Sequence, residues 1–185
     1  MLFTLTTCLH LPGKKEQTMT CLHALFEVET AWDMVDRCIL INEYDPNEGD
    51  HVQVFHDTFP RLEVVQKSKD DIGQSQSINI IIDILRASQY VYWLHWEESW
   101  IVQQPFIHDA LHIMNIHDDI TQLQIAKGWN DVPFDTRNGV IVVSDAYHAR
   151  VDSLGTNTNG CKWKRKPWPL FSLQPGIDRV EKIIH

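Results

Sequence analysis

Apolar runs and helical stretches alternate across the first hundred residues, and this alternation leaves the chain few folds to choose from. Leu2–Leu9, Arg37–Tyr44, Arg61–Gln66 and Tyr90–Leu94 are rich in aliphatic, β-branched and aromatic residues. Short runs of this kind read as strands, and the uninterrupted ones as strands buried on both faces. Between them, Glu16–Glu27 places Met19, Leu22, Leu25 and Phe26 at helical spacing. His51–Phe59 reads as a short helix with Asp50 as its N-cap and Pro60 as its stop. Ser77–Ala87 is apolar nearly all round, as in a helix packed against a sheet. Pro12-Gly13, the turn residues from Asp45 to Asp50, and the polar loop Lys67–Gln76 around Gly73 punctuate the pattern. The order β-α-β-α-β-α-β implies an α/β fold: a parallel sheet with right-handed crossovers and helices on its faces.

Each predicted strand turns polar at its C-terminal end. The clusters are Thr6-Thr7, Asn42-Glu43-Tyr44-Asp45, the Lys69–Ser77 loop with Asn79, and His95-Trp96-Glu97-Glu98 after the run Tyr90–Leu94. A doubly wound sheet brings such ends to one edge, which is where ligands bind in open α/β folds. Two adjacent carboxylates, Glu97 and Glu98, make a seat there for a hard divalent cation, which prefers carboxylate oxygens.

The 185 residues are enough for one domain with a sizeable core. The formal net charge of −9 argues against broad binding to nucleic acid or an anionic membrane. An anionic ligand would need local compensation from a metal, a helix N-terminus or a basic loop. Cys8, Cys21, Cys38 and Cys161 form no CxxC pair and read as reduced thiols. No apolar run approaches a membrane span, and the N-terminus lacks a signal-peptide pattern, so a cytoplasmic location is expected, in the host if the source is viral.

The second half is less regular. Pro105–Asn115 reads as a helix, Thr121–Lys127 and Gly139–Val143 as strands, Arg150–Lys166 as a long loop, and Ile177–Ile184 as the start of a helix. His108 and His112 stand at i and i+4 on the expected helix, with His117 beyond. This spacing offers a rival reading as a zinc hydrolase with Asp109 as a short general base. The basic run Lys162–Lys166 reads as a solvated loop or one that closes over a phosphate ligand. Ser144, Asp145 and His148 have triad residue types but no nucleophile elbow around the serine.

Taken together, the order of motifs resembles the nucleotide-sugar-dependent glycosyltransferases of the GT-A fold, similar to family 2 and to the short GT-A domains of large DNA viruses such as chloroviruses. Phe3–Cys8 takes the place of the first strand, CILINEYD at Cys38–Asp45 the strand ending in an acidic pair, and GQSQSIN at Gly73–Asn79 the glycine loop entering a helix. WLHWEESW at Trp93–Trp100 takes the place of the DxD-type motif, and WPLFSLQPG at Trp168–Gly176 that of a late segment preceding an acceptor-side helix. The resemblance implies a Rossmann-like GT-A domain over 1–185, with a mixed, mostly parallel central sheet flanked by helices on both faces. It assigns 1–100 to the nucleotide and 101–185 to the acceptor. The implied activity moves a sugar from a nucleotide-diphosphate donor, UDP-linked, to a glycan or other hydroxyl acceptor, with Mn²⁺ or Mg²⁺ on the diphosphate. The same resemblance implies that Glu97 and Glu98 hold the metal and that Thr6, Thr7, Asn42, Glu43, Ser77, Asn79, His95 and Trp96 bind the donor. It identifies no catalytic base. The family's base lies on a helix that would begin about where this chain ends, so the second half is shortened or the base is elsewhere, among Asp135, Asp145 and Asp178. A non-catalytic nucleotide-sugar-binding module is the alternative.

Overall fold

The computed structural model describes residues 1–46, 51–118, 120–125, 141–143, 148–150 and 175–184. The first half follows the expected alternation: β1 (Leu2–Thr7), α1 (Lys14–Val28), β2 (Arg37–Asn42), α2 (His51–Thr58), β3 (Leu62–Gln66), α3 (Gln74–Arg86) and β4 (Tyr92–Glu97). Then come α4 (Ile107–Ile116), β5 (Gln122–Gln124), β6 (Ile141–Val143), β7 (His148–Arg150) and β8 (Gly176–Arg179). The eight described strands join one sheet in the order β3-β2-β1-β4-β8-β5-β7-β6. The four strands β1 to β4 are parallel, and from β8 outward each pairing is antiparallel. The fold is therefore α/β with the mixed sheet expected.

Alternation along the strands divides the core between the two faces. Phe3, Leu5, Cys38, Leu40, Leu62, Tyr92, Leu94 and Trp96 face one side. There they meet Cys21, Leu22 and Leu25 of α1, Phe55 of α2, and Ile107, Ala110, Leu111 and Met114 of α4. Leu2, Ile39, Ile41 and Trp93 face the other, against Ile81 and Leu85 of α3 and Val180. Helices thus cover both faces. Burying each such side chain contributes about 1.5–3 kcal/mol.

Beyond shifts of one or two residues at other element ends, three departures from the sequence reading matter for the site and the sheet. β4 does not stop at Leu94 but runs on through His95 and Trp96 to Glu97, paired to β1 along its length. A histidine in an otherwise apolar strand suggested an end, but pairing to β8 as far as His95 and to β1 as far as Glu97 decided otherwise. α3 begins at Gln74 instead of Ser77, directly after Gly73, whose φ of 97° sets the turn into the helix. Most consequentially, Ile177–Ile184 is not a helix start. Gly176–Arg179 is a strand inserted between β4 and β5, followed by one 3-10 turn, Val180–Lys182. Tertiary pairing overrides the helical spacing of a short segment. Asp50, Asp135, Asp145, Cys161 and the segments 151–166 and 168–174 lie outside the described residues.

Asp178 sits in the middle of β8, in register with Trp93 on one side and Gln122 on the other, and is wholly buried. Burial pushes its carboxyl up to about 8, against the hydrogen bond from Gln122. The folded chain therefore keeps a proton that the unfolded chain releases above its ordinary value of 3.8. The unfolded state binds fewer protons between these limits, so stability is greatest at the acid end and falls as pH rises toward 8. The expected loss is about 1 kcal/mol per pH unit in that window. Denaturation midpoints measured from pH 5 to 8 should show this slope in the parent and not in Asp178→Asn. Equal slopes would mean that Asp178 titrates normally.

Candidate functional site

The four parallel strands end together. Thr7, Asn42 and Gln66 are in register across β1, β2 and β3, and Thr6 is in register with Glu97 of β4. Strand order also reverses here: β2 and β3 extend to one side of β1, and the chain then crosses back to lay β4 on the other. Thr6 and Glu97 mark that crossing point, where a crevice opens in sheets of this kind.

The β2–β3 side is a closed network. The Asn42 amide accepts from Leu9 N at 2.9 Å and donates to Gln66 Oε1 at 2.7 Å, so it joins the β1 loop to β3. Glu43 Oε2 accepts from Lys67 Nζ at 2.9 Å and from Gly73 N at 3.1 Å. Lys67, in an expected polar loop, is buried. It spends its other donors on Gly73 O at 2.8 Å and Ser77 Oγ at 3.1 Å. A buried charge needs such full pairing. One lysine thus locks the glycine loop and the start of α3 against the β2 carboxylate.

The β4 side is built differently. Glu97 closes a turn in which Trp100 N donates to its carbonyl at 3.2 Å and Trp100 Nε1 to its Oε2 at 3.3 Å. The Cys21 thiol of α1 anchors the same turn on Trp100 O at 3.2 Å. Burial holds the Glu97 carboxyl above the usual range, and the charge of Glu98 adds to this. The Trp100 hydrogen bond and Lys14 oppose it. Glu98 Oε1 lies 2.5 Å from Lys14 Nζ, at the first turn of α1. Cys8, just past β1, feels both ion pairs. Its thiol is raised by burial first and then by Glu43 and Glu98, while Lys14 and Lys67 lower it. The strand ends therefore bring three carboxylates and two ammonium groups to one edge.

Not every expected residue joins this edge. Thr7 turns to the α1 face and meets Thr18 at 2.9 Å. Asn79 is exposed and bonded to Gln76, about 200° around α3 from buried Ser77. His95 and Trp96 are buried in the strand on opposite faces. The His95 ring is 5.4 Å from Trp93, and Trp96 is stacked on Phe106 at 5.3 Å. Lys14, Lys67 and Gln66 were missed by the sequence reading, because nothing in a lone lysine reveals which carboxylate it will meet. His108 and His112 are exposed on α4, and His108 Nδ1 lies 3.3 Å from Oδ1 of its neighbour Asp109. Among the described residues no group of three or more His, Cys, Asp or Glu side chains gathers to hold a metal. No described helix is long and apolar enough to cross a membrane.

No protein-family model matches the sequence, and no curated protein matches it. Solved structures do match its fold. TarS 1–349 from S. aureus, in complex with UDP-GlcNAc, is 14% identical with a TM-score of 0.56, over 97% of this chain and 46% of that one. The mannosyltransferase PcManGT from Pyrobaculum calidifontis, in complex with GDP-Man and Mn²⁺, is 12% identical with a TM-score of 0.54, over 70% of this chain and 36% of that one. The bifunctional IspDF from Campylobacter jejuni is 9% identical with a TM-score of 0.50, over 100% of this chain and 42% of that one. The fold is that of GT-A-type glycosyltransferases, and the chain spans less than half the length of these structures.

Proposed function

We propose that this chain binds a nucleotide-diphosphate sugar, UDP-linked, at the C-terminal edge of β1, β2 and β4, as part of a metal-dependent glycosyltransferase. One observation carries the reading: Thr6, Glu43, Glu97 and Glu98 lie on strand ends that share one edge at the reversal of strand order. The sequence resemblance and the fold of the UDP-GlcNAc and GDP-Man complexes support it.

The residues present suit a divalent ion. Glu97 and Glu98 offer two adjacent carboxylates, and an ammonium group already sits on the second. Mg²⁺ needs no closed protein cage, since it is commonly held by one or two carboxylates together with water and substrate phosphates. Once bound, the ion would stabilise the charge that builds on the departing diphosphate. The chain's own part is to fix the donor. Glu43 is held by Lys67 and Gly73 on Oε2 and takes the Tyr44 N–H on Oε1 at 3.3 Å; in this reading Oε1 also accepts from a base or ribose donor. Thr6 lies between this group and Glu97. Asn42 and Ser77 keep the loops in place, while His95 and Trp96 pack behind the edge. In this reading the acceptor is a glycan or other hydroxyl compound bound by the second half.

Calorimetric titration with UDP and with GDP, each with and without Mn²⁺, tests the proposal. Manganese-dependent binding of UDP is the expected result, and no binding of either nucleotide would overturn it. Because the chain matches less than half of each neighbour, a binding module without turnover is the second reading. UDP binding without hydrolysis or transfer of any UDP-sugar would favour that one.

A further inference from the structure

Two lysines reach the candidate edge, and they are built for different tasks. Lys67 is buried with its ammonium donors committed to Glu43, Gly73 and Ser77, so it cannot move without breaking the β2–α3 corner. Among the described residues the Lys14 ammonium has one acceptor, Glu98 at 2.5 Å, and its side chain is 34% exposed. It can swing on its four-carbon stem. Its position is also a poor one for helix stability. Lys14 is the first residue of α1, where the helix dipole disfavours a cation. What holds the ammonium there is the carboxylate of Glu98, not the helix.

We infer that Lys14 is a tethered cation that occupies Glu98 in the absence of metal and transfers to the donor diphosphate when a divalent ion takes its place. This inference rests on the donor-site reading above and adds to it an exchange within the site. Adjacent carboxylates at Glu97 and Glu98 repel each other, and Lys14 relieves that repulsion in the free protein. A divalent ion held by Glu97 and Glu98 would displace the ammonium, so metal alone would bind against a competitor. Donor and metal together would not suffer this, because a diphosphate held by the ion at Glu97 and Glu98 would offer its oxygens to the ammonium released from Glu98. Lys14 thus makes metal and nucleotide bind cooperatively, and it adds a positive charge where the leaving group gains a negative one.

The test compares the parent chain with Lys14→Gln and Lys14→Arg by calorimetry, using Mn²⁺ alone and then UDP at saturating Mn²⁺. Lys14→Gln should bind Mn²⁺ alone about 5- to 10-fold more tightly and UDP with Mn²⁺ about 10-fold more weakly. Lys14→Arg should behave as the parent in both. Opposite signs in the two titrations distinguish exchange from a structural role, which would weaken both. Weakening of both, or no change in either, would overturn the inference while parental UDP binding keeps the donor site standing. A parent chain that binds neither Mn²⁺ nor UDP would remove both. Thermal melting of each variant checks that the fold is retained.

Discussion

Glu29→Ala should destabilise the chain by roughly 3–5 kcal/mol, lowering the melting temperature by about 10 °C. Glu29 is buried, and its carboxylate accepts four backbone N–H groups. Oε1 takes Thr30 N at 2.8 Å and Ala31 N at 2.9 Å, and Oε2 takes Phe106 N at 2.8 Å and Ile107 N at 2.9 Å. The first pair closes the turn after α1, and the second caps α4, which has no cap from its own N-cap residue. A carboxylate at a helix N-terminus is favoured both by the free N–H groups and by the dipole. Removing it strands four buried donors at two places in the fold, each costing about 1–3 kcal/mol unless water enters. Glu29→Gln should lose about half as much, because its Nε2 faces two donors with nothing to accept. Urea and thermal denaturation of both variants would measure this. A Glu29→Gln chain as stable as its parent would show that the four-donor arrangement is absent in solution.

Glu97→Ala should abolish manganese-dependent UDP binding, weakening it at least about 100-fold, and leave the fold intact. The contrast with Glu29 follows from their contacts. Glu97 takes a single 3.3 Å side-chain hydrogen bond from Trp100, and burial already disfavours its charge. Loss of that carboxyl should therefore change stability by no more than about 1 kcal/mol. The same raised carboxyl gives a pH dependence. A cation needs the ionised form, so metal-dependent binding should fade on acidification at a higher pH than an ordinary glutamate would give. Calorimetry of the variant against its parent, repeated at pH 5 and pH 7, reads both effects. Parental UDP affinity in Glu97→Ala would remove Glu97 from the site.

Much of the fold was legible because its first half obeys local rules. Leu2–Thr7, Cys38–Ile41 and Leu94 announce strands by composition, and Leu22 and Leu25 announce α1 by spacing. The polar strand ends were found for the same reason, since parallel strands must finish at one edge. What escaped is non-local. Glu29 meets its two α4 donors 77 and 78 residues away, and Lys67 meets Glu43 from another strand. Gly176–Arg179 carries helical spacing but is captured by strands on both sides. The site was over-read at His95 and Trp96, where strand periodicity sends neighbours to opposite faces.

The position of β8 bears on how the molecule can be made. It is the last of the described strands in sequence order yet lies inside the sheet, between β4 and β5. During synthesis the first four strands can assemble with their helices as soon as they emerge. Until Gly176–Arg179 leaves the ribosome, β4 is an open edge, with its backbone groups free to pair with any extended chain nearby. Completion of the sheet therefore waits for the synthesis of β8. A nascent or cut chain lacking β8 would carry a sticky edge directly beside its own candidate site.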